Sequence, residues 1–410
     1  MTRRVVPAAL VAALLMITAC TAGTRSSGSP AATGSSATAS PAPRSPTLAA
    51  GSSSRGPAST ASQTGLPGMP RLLDAHDVYA ADRPGMLSPT VAHDRAYVYV
   101  PDTISGDVYV IDQKSMRVVR TFPGGNEPQH VVPSYDLKTL YVTADKPGSG
   151  GLVPIDPRTG TPGRTIRVDD AYNMYFTPNG RYAIVVQEAY TRLAFYDPHT
   201  FALHDYLTIP ACKGIDHLDF SADGTKLLAS CEFSAQMAVV DVATHKLLKM
   251  IRLPDAPTGM PQDVKLAPDG SVFYVADMVA NGIYVISAKS FRVLRFQPTG
   301  KGAHGLYVAR DSKRLFVTNR DEGSITVIDL ATGKPQTKWR IPGGGSPDMG
   351  NVSADGKVLW LSGRYNNVVY AINATDGHLI AKIPVGSGPH GLCVWPIPGR
   401  YSLGHTGILR

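Results

Sequence analysis

The chain repeats itself. An Asp or Asn stands in a turn at Asp94, Asp136, Asn179, Asp223, Asp269, Asp311 and Asp355, at intervals of 42 to 46 residues. A short apolar segment precedes each turn, as in "MYFTPNG", "LDFSADG" and "VKLAPDG". A β-rich run follows it ("YVYVPD", "LYVTAD", "LFVTNR"), then a third segment that ends at Asp or its equivalent ("VYVID", "ITVID", "VYAIN"), then a fourth after a tight turn. β-branched and aromatic residues dominate these runs, and no segment sustains a helical period. Four short strands in a unit of about 40 to 45 residues make one blade of a β-propeller. The expected fold is therefore all-β, a propeller of four-stranded antiparallel blades. Seven complete repeats predict seven blades. An eighth copy of the first strand, "GLCVWP", is expected to close the ring against the first repeat. The alternative is an eight-bladed ring with one degenerate blade, although "RYSLGHTGILR" is too short to supply a full one.

The phrases "LYVTA", "FVTN" and "YVAD" resemble the YVTN-type repeats of bacterial β-propellers, a group that includes cytochrome d1-like propellers and the N-terminal propeller of nitrous oxide reductase. The resemblance runs from about Met86 to Trp395. It implies the fold and leaves the activity open, because the architecture hosts many.

The first seventy residues read differently. Arg3 and Arg4 precede an apolar run, Val5 to Ile17, and "ITAC" follows, ending at Cys20. A basic start, a short apolar core and small residues before a cut site make an export signal. The cysteine at the cut resembles a lipoprotein lipobox, so residues 1–20 are read as a signal peptide and Cys20 as the lipidated residue. The run is too short to span a bilayer. Residues 21–70 are Ser, Thr, Ala, Gly and Pro with almost no large apolar side chain, a composition that cannot offset its ordering entropy. They read as a disordered tether, and 71–410 as a single propeller domain. The expected location is the extracytoplasmic face of the cell membrane, with the membrane itself as a partner through Cys20.

The formal charge of +8 includes Arg3 and Arg4, and the remaining basic residues form no Lys/Arg run. Nucleic acid is not an expected partner.

Two phrases, "TGKGAHGLYVARD" and "VGSGPHGLCVWPI", place a His-Gly pair just before an apolar run. Both match G-x-G-x-x-G, but each leads into a strand, whereas a dinucleotide site needs a helix N-terminus there. In a propeller each blade's first strand lies nearest the axis. The residues entering that strand share one face with the loops between second and third strands. His130, His217, His304 and His390 occupy these entries at intervals of 87, 87 and 86 residues, and Asn173, Asp216, Asp263 and Asp348 fill neighbouring ones. The loops on that face add Glu188, Glu232, Asp277, Asn319, Arg320 and Arg364. Brought round one axis, these groups would form a polar funnel of mixed charge.

Three chemistries fit such a funnel. The side chains could stitch neighbouring blades together and hold channel water. They could bind a small polar ligand or an envelope protein. Imidazoles and carboxylates converging on one point also suit a divalent transition metal, and some related propellers carry haem d1 or copper on channel histidines. The expected function is a lipid-anchored binding or scaffold module without chemistry of its own. The alternatives are a copper- or haem-type redox protein using His130, His217, His304 and His390, and a divalent-metal-dependent hydrolase such as a lactonase. Cys212 and Cys231 fall on paired strands of the fourth repeat, as a disulfide or as two thiols beside His217. Cys393 reads as a buried packing residue. No spacing singles out a catalytic nucleophile.

Overall fold

The computed structural model describes residues 65–255, 258–405 and 407–410. The signal, Cys20 and the tether through residue 64 lie outside them. No helix among the described residues is long and apolar enough to cross a membrane.

Seven sheets form seven blades. Blades 2 to 7 run in chain order, and their innermost strands are Pro128–Pro133, Asn173–Phe176, Ile215–Phe220, Pro261–Leu266, Ala303–Val308 and Pro347–Val352. Blade 1 is built from both ends of the domain. Cys393–Trp395 is its innermost strand and pairs antiparallel with Tyr97–Asp102, which leads outward to Asp107–Asp112 and Arg117–Pro123. The extra "GLCVWP" copy thus closes the ring, and the sheet count is seven. The repeat's own first-strand segment, "TVAHD", forms turns instead of a strand. Its Asp94 accepts a hydrogen bond from Trp395 Nε1 at 2.8 Å, so the first residue of the repeat series clamps the closing strand.

Local chemistry explains why the repeat shows at the turns. In blade 4 the Asp223 carboxylate accepts from Ser221 Oγ (2.6 Å) and the Thr225 N–H (3.0 Å), with Gly224 at φ +69°. Ser134–Asp136, Thr177–Asn179 and Ser353–Asp355 repeat the pairing. A short side chain that caps its own turn, next to a residue tolerant of positive φ, is what such a turn requires.

Each blade packs face to face on the next, so the inner strands bury both faces and read as continuous apolar runs. Leu227, Leu228 and Ala229 are all fully buried. Leu228 and Val239 of blade 4 pack with Val264 and Phe273 of blade 5 in one cluster. Each such side chain contributes on the order of 1.5–3 kcal/mol on burial. Only outermost strands such as Leu203–Thr208 keep an exposed face.

Innermost strands do not hydrogen-bond to each other as a sheet, so their N–H groups need other acceptors. Side chains one blade back supply them. The Leu218 N–H donates to Tyr175 Oη (3.0 Å) and the Leu266 N–H to Asp219 Oδ2 (2.8 Å). The Leu306 N–H donates to Asp263 Oδ2 (2.9 Å) and the Gly350 N–H to Tyr307 Oη (2.7 Å).

The segment after the closing strand does not leave the ring. Ser402–Gly404 pairs with the inner strand of blade 3, through Gly404 opposite Tyr175, and with Ile408–Leu409. Gly404, at φ +96°, has room for no β-carbon against the Met174 carbonyl. Arg410 is buried in an ion pair with Asp219 at 3.0 Å. At the domain's other end Leu66 is buried, with its N–H on the Asp223 carbonyl at 2.8 Å. Asp82 meets Arg310 at 2.8 Å.

Candidate functional site

Five imidazoles meet at the axis. His130, His217 and His304 enter blades 2, 4 and 6, and His390 precedes the closing strand of blade 1. The fifth, His405, comes from the segment that returns into the ring. Ring centres are 4.9 Å apart for His130 and His390, 5.3 Å for His130 and His217, 4.7 Å for His217 and His405, and 5.5 Å for His130 and His405. His304 stands 6.1 Å from His390 and 6.4 Å from His217. All five are buried.

Burial, the largest cause in each case, holds these histidines in their neutral form. It pushes His130 down to about 3, against a partly opposing hydrogen bond to the Tyr172 carbonyl. It holds His217, His304, His390 and His405 well below the ordinary imidazole value, with neighbouring histidines and a nearby cation (Lys265 for His217 and His405, Arg320 or Arg364 for His304 and His390) adding to the effect.

The imidazoles form two groups, each with donor atoms within 4.8 Å of one another: His130, His217 and His405; and His304, Asp348 and His390. The first group is unsatisfied. His130 Nδ1–H donates to the Tyr172 carbonyl (3.0 Å), which leaves the Nε2 lone pair without a partner. Asn173 Nδ2 donates to Nδ1 of both His217 (3.1 Å) and His405 (2.9 Å), while its Oδ1 accepts from the Met174 N–H (2.8 Å). Nε2 of His217 and of His405, which then carry the ring protons, are also buried with no hydrogen bond. His217 Nε2 lies 3.1 Å from Asp216 Oδ1, but the pair is not aligned as a hydrogen bond, and the Asp216 carboxyl faces the Tyr172 hydroxyl. Burial, then the Glu232 and Glu188 carboxylates, push Asp216 well above the usual carboxylate range.

The second group already holds a cation. Arg320 donates Nε (2.9 Å) and Nη2 (2.5 Å) to Asp348 Oδ1, and Nη2 also meets His304 Nε2. His304 Nδ1 lies 3.0 Å from the same carboxylate. His390 Nδ1–H donates to Gln129 Oε1 (3.0 Å), and its Nε2 lies 3.7 Å from Asp348 Oδ2.

The structure therefore brings together His130, Asn173, Asp216, His217, His304, Asp348, His390 and Arg320. Asp263 stands beside them, with its Oδ1 3.5 Å from His405 Nε2, but its two oxygens already take the Val264 and Leu306 N–H groups, so it stitches blades. Glu188 and Glu232 are half-buried on the rim of blades 3 and 4. Burial and the neighbouring Glu232 carboxylate push Glu188 up to about 8, and Glu232 accepts from Gln262 Nε2 at 2.9 Å. Arg364 lies on the rim between blades 7 and 1, donating to Thr103 Oγ1 (2.8 Å) and the Gly388 carbonyl (3.0 Å). Two loop candidates serve their own blades. Asp277 accepts from the Met260, Val279 and Ala280 N–H groups, and Asn319 donates to Ser324 and Thr326. Cys212 and Cys231 are joined as a disulfide, so neither is a thiol beside His217. Cys393 is free and buried.

Sequence reasoning missed His405. It lies in "LGHTG", outside every repeat, so no blade equivalent marks it. The one available signal is the pair of glycines around it, Gly404 and Gly407, both at positive φ.

A metal can be tested against the first group. Imidazoles sharing one ion at the usual metal–nitrogen distance of ~2.0–2.1 Å stand with ring centres about 5 Å apart, and the three separations here bracket that value. Metal binding needs neutral imidazoles, and these are neutral. The three Nε2 atoms are buried polar groups that lack partners, an arrangement that is costly unless something satisfies them. The residues fit a divalent transition metal with mainly nitrogen donors.

Comparison with known proteins agrees on the fold. A family model described as YNCE-like beta-propeller matches residues 258–399. No curated protein matches the chain. Among solved structures, a functionally unknown protein from Desulfotomaculum acetoxidans is similar at TM-score 0.60 and 14% identity, over 73% of this chain and 98% of that one. The periplasmic gluconolactonase PpgL of Pseudomonas aeruginosa is similar at TM-score 0.61 and 18% identity, over 74% and 99%. The dihydro-heme d1 dehydrogenase NirN, solved in complex with DHE, is similar at TM-score 0.56 and 16% identity, over 80% and 82%. At these identities the likeness is one of fold.

Proposed function

We propose that this protein is a metal-binding β-propeller of the cell envelope, anchored through a lipidated Cys20, that takes one divalent transition-metal ion on His130, His217 and His405. One observation carries the reading: three buried imidazoles offer donor atoms within 4.8 Å of one another, and each keeps a ring nitrogen, Nε2, without a hydrogen-bond partner. Asp216, beside His217, would serve as an oxygen donor or as a counter-charge. Bound there, the ion would supply Lewis acidity or, for copper, an electron-transfer centre. The chain's own part is to hold the imidazoles neutral, fix His130 through the Tyr172 carbonyl, and close the donor set with His405.

The rim supports the wider reading of a binding module. Glu188 and Glu232 on one side and Arg364 on the other would orient a small polar ligand, or a docking envelope protein, over the ion. The likeness to a gluconolactonase adds no residue to the hydrolase reading, and the likeness to a haem d1 enzyme adds none to a haem reading.

The test is metal content. Purified protein loaded with Cu(II) or Zn(II) and then dialysed should retain one ion per chain, and His217→Ala and His405→Ala should lose it. A folded wild-type protein that retains no stoichiometric ion would overturn the proposal.

A further inference from the structure

The two donor groups differ in one respect: the second already holds a cation. Asp348 is fully buried, and the Arg320 guanidinium donates two hydrogen bonds to its Oδ1. The same Nη2 meets the lone pair on His304 Nε2, as a metal ion would. Asp348 Oδ2 has no hydrogen-bond partner, although His390 Nε2 stands 3.7 Å away. Arg320 enters from the loop after Asn319, on the funnel face. Its outer side meets Tyr365, with the guanidinium 5.7 Å from the ring centre, and Met278 Sδ at 3.6 Å from Nη1.

We infer that His304, Asp348 and His390 are a second transition-metal site whose place is taken by the Arg320 side chain, so that Arg320 sets how many ions the channel mouth accepts. The donor set is complete without Arg320: two neutral imidazoles and one carboxylate, with donor atoms within 4.8 Å of one another. A guanidinium and a divalent ion compete for it, because Arg320 already bonds Asp348 Oδ1 and His304 Nε2. Removing the guanidinium leaves a buried carboxylate uncompensated, which is strongly destabilising unless another cation arrives. A neutral replacement should therefore turn a structural ion pair into a metal site. The inference rests on the proposed function only for the wild-type count of one ion.

The experiment is the metal-to-protein ratio of the full chain after loading with Zn(II) or Cu(II) and dialysis. Wild type and Arg320→Lys, which keeps a positive charge at the place, should hold one ion. Arg320→Met should hold two, and Arg320→Met combined with Asp348→Asn should return to one. The melting temperature of Arg320→Met should rise more on metal addition than that of wild type. Arg320→Met with no more metal than wild type would overturn the inference. If wild type holds none while Arg320→Met holds one, this inference stands and the His130 site falls, so the two failures are distinguishable. If Arg320→Met folds only with help, it should refold with Zn(II) and not with EDTA. Failure under both conditions, with Arg320→Gln also gaining no ion, would count against it.

Discussion

A β-carbon on Gly391 would overlap the imidazole ring of His130. The two residues form an isolated parallel bridge, with the Val131 N–H on the Gly391 carbonyl (3.0 Å) and the Gly391 N–H on the Gln129 carbonyl (2.9 Å). The His-Gly pair before the closing strand thus has a physical reason. His390 supplies one imidazole, and the missing side chain beside it makes room for another. Gly391→Ala should displace His130, weaken metal binding by about 10-fold or more, and cost about 1–3 kcal/mol through overpacking. Metal competition titration and thermal melting read the two effects separately.

Asn173 is the second point of control. Its Nδ2 faces Nδ1 of both His217 and His405, which places their protons on Nε2. A metal at those Nε2 atoms needs the protons on Nδ1, so binding must turn the amide to present Oδ1. Asn173→Asp presents an acceptor from the outset. It should tighten metal binding by on the order of 10-fold while lowering the melting temperature of the metal-free protein, because an extra buried carboxylate then lacks a cation.

Asp102 gives a pH signature independent of metal. It is fully buried, and burial raises its carboxyl to about 8, against a partly opposing Gly386 backbone hydrogen bond. The fold therefore favours the protonated form. Its contribution is fully present at low pH and is lost as pH rises from the unfolded value of about 4 through the folded value of about 8. Asp102→Asn, which stays neutral, should match wild type at pH 4 and exceed it progressively to pH 8, by on the order of a few kcal/mol, with no further gain above. Melting curves of the two proteins across that range check it. A constant difference at every pH would contradict the assignment.

The Cys212–Cys231 disulfide fixes the link that leads to Asp216 and His217. Replacing both cysteines with Ser should cost about 2–4 kcal/mol and lower the affinity for metal. Titration of residues 61–410 with a thiol reagent in denaturant should count one free thiol, Cys393.

The blade count and the ring closure could be read from the turns, because an Asp or Asn recurs in every repeat and in blades 2 to 7 its side chain accepts the N–H two residues on. The convergence of His130, His217, His304 and His390 followed from the same periodicity. His405 did not, since it reaches the axis by a route that no blade repeats. The cation already lodged in the second group was also hidden. Arg320 appeared as a loop charge, and only the geometry shows its guanidinium lying across Asp348 and His304. Asp277 and Asn319 show the converse: a periodic position does not reveal whether a side chain turns to the axis or caps its own blade.

X-ray absorption on the one-equivalent Zn(II) or Cu(II) complex reads the ligands of the bound ion. In wild type the first shell should lie at about 2.0 Å with three imidazole nitrogens, and in His405→Ala, which does not hold the ion, the added metal should show water oxygens in their place. A first shell unchanged by His405→Ala, or built without imidazole, would contradict it.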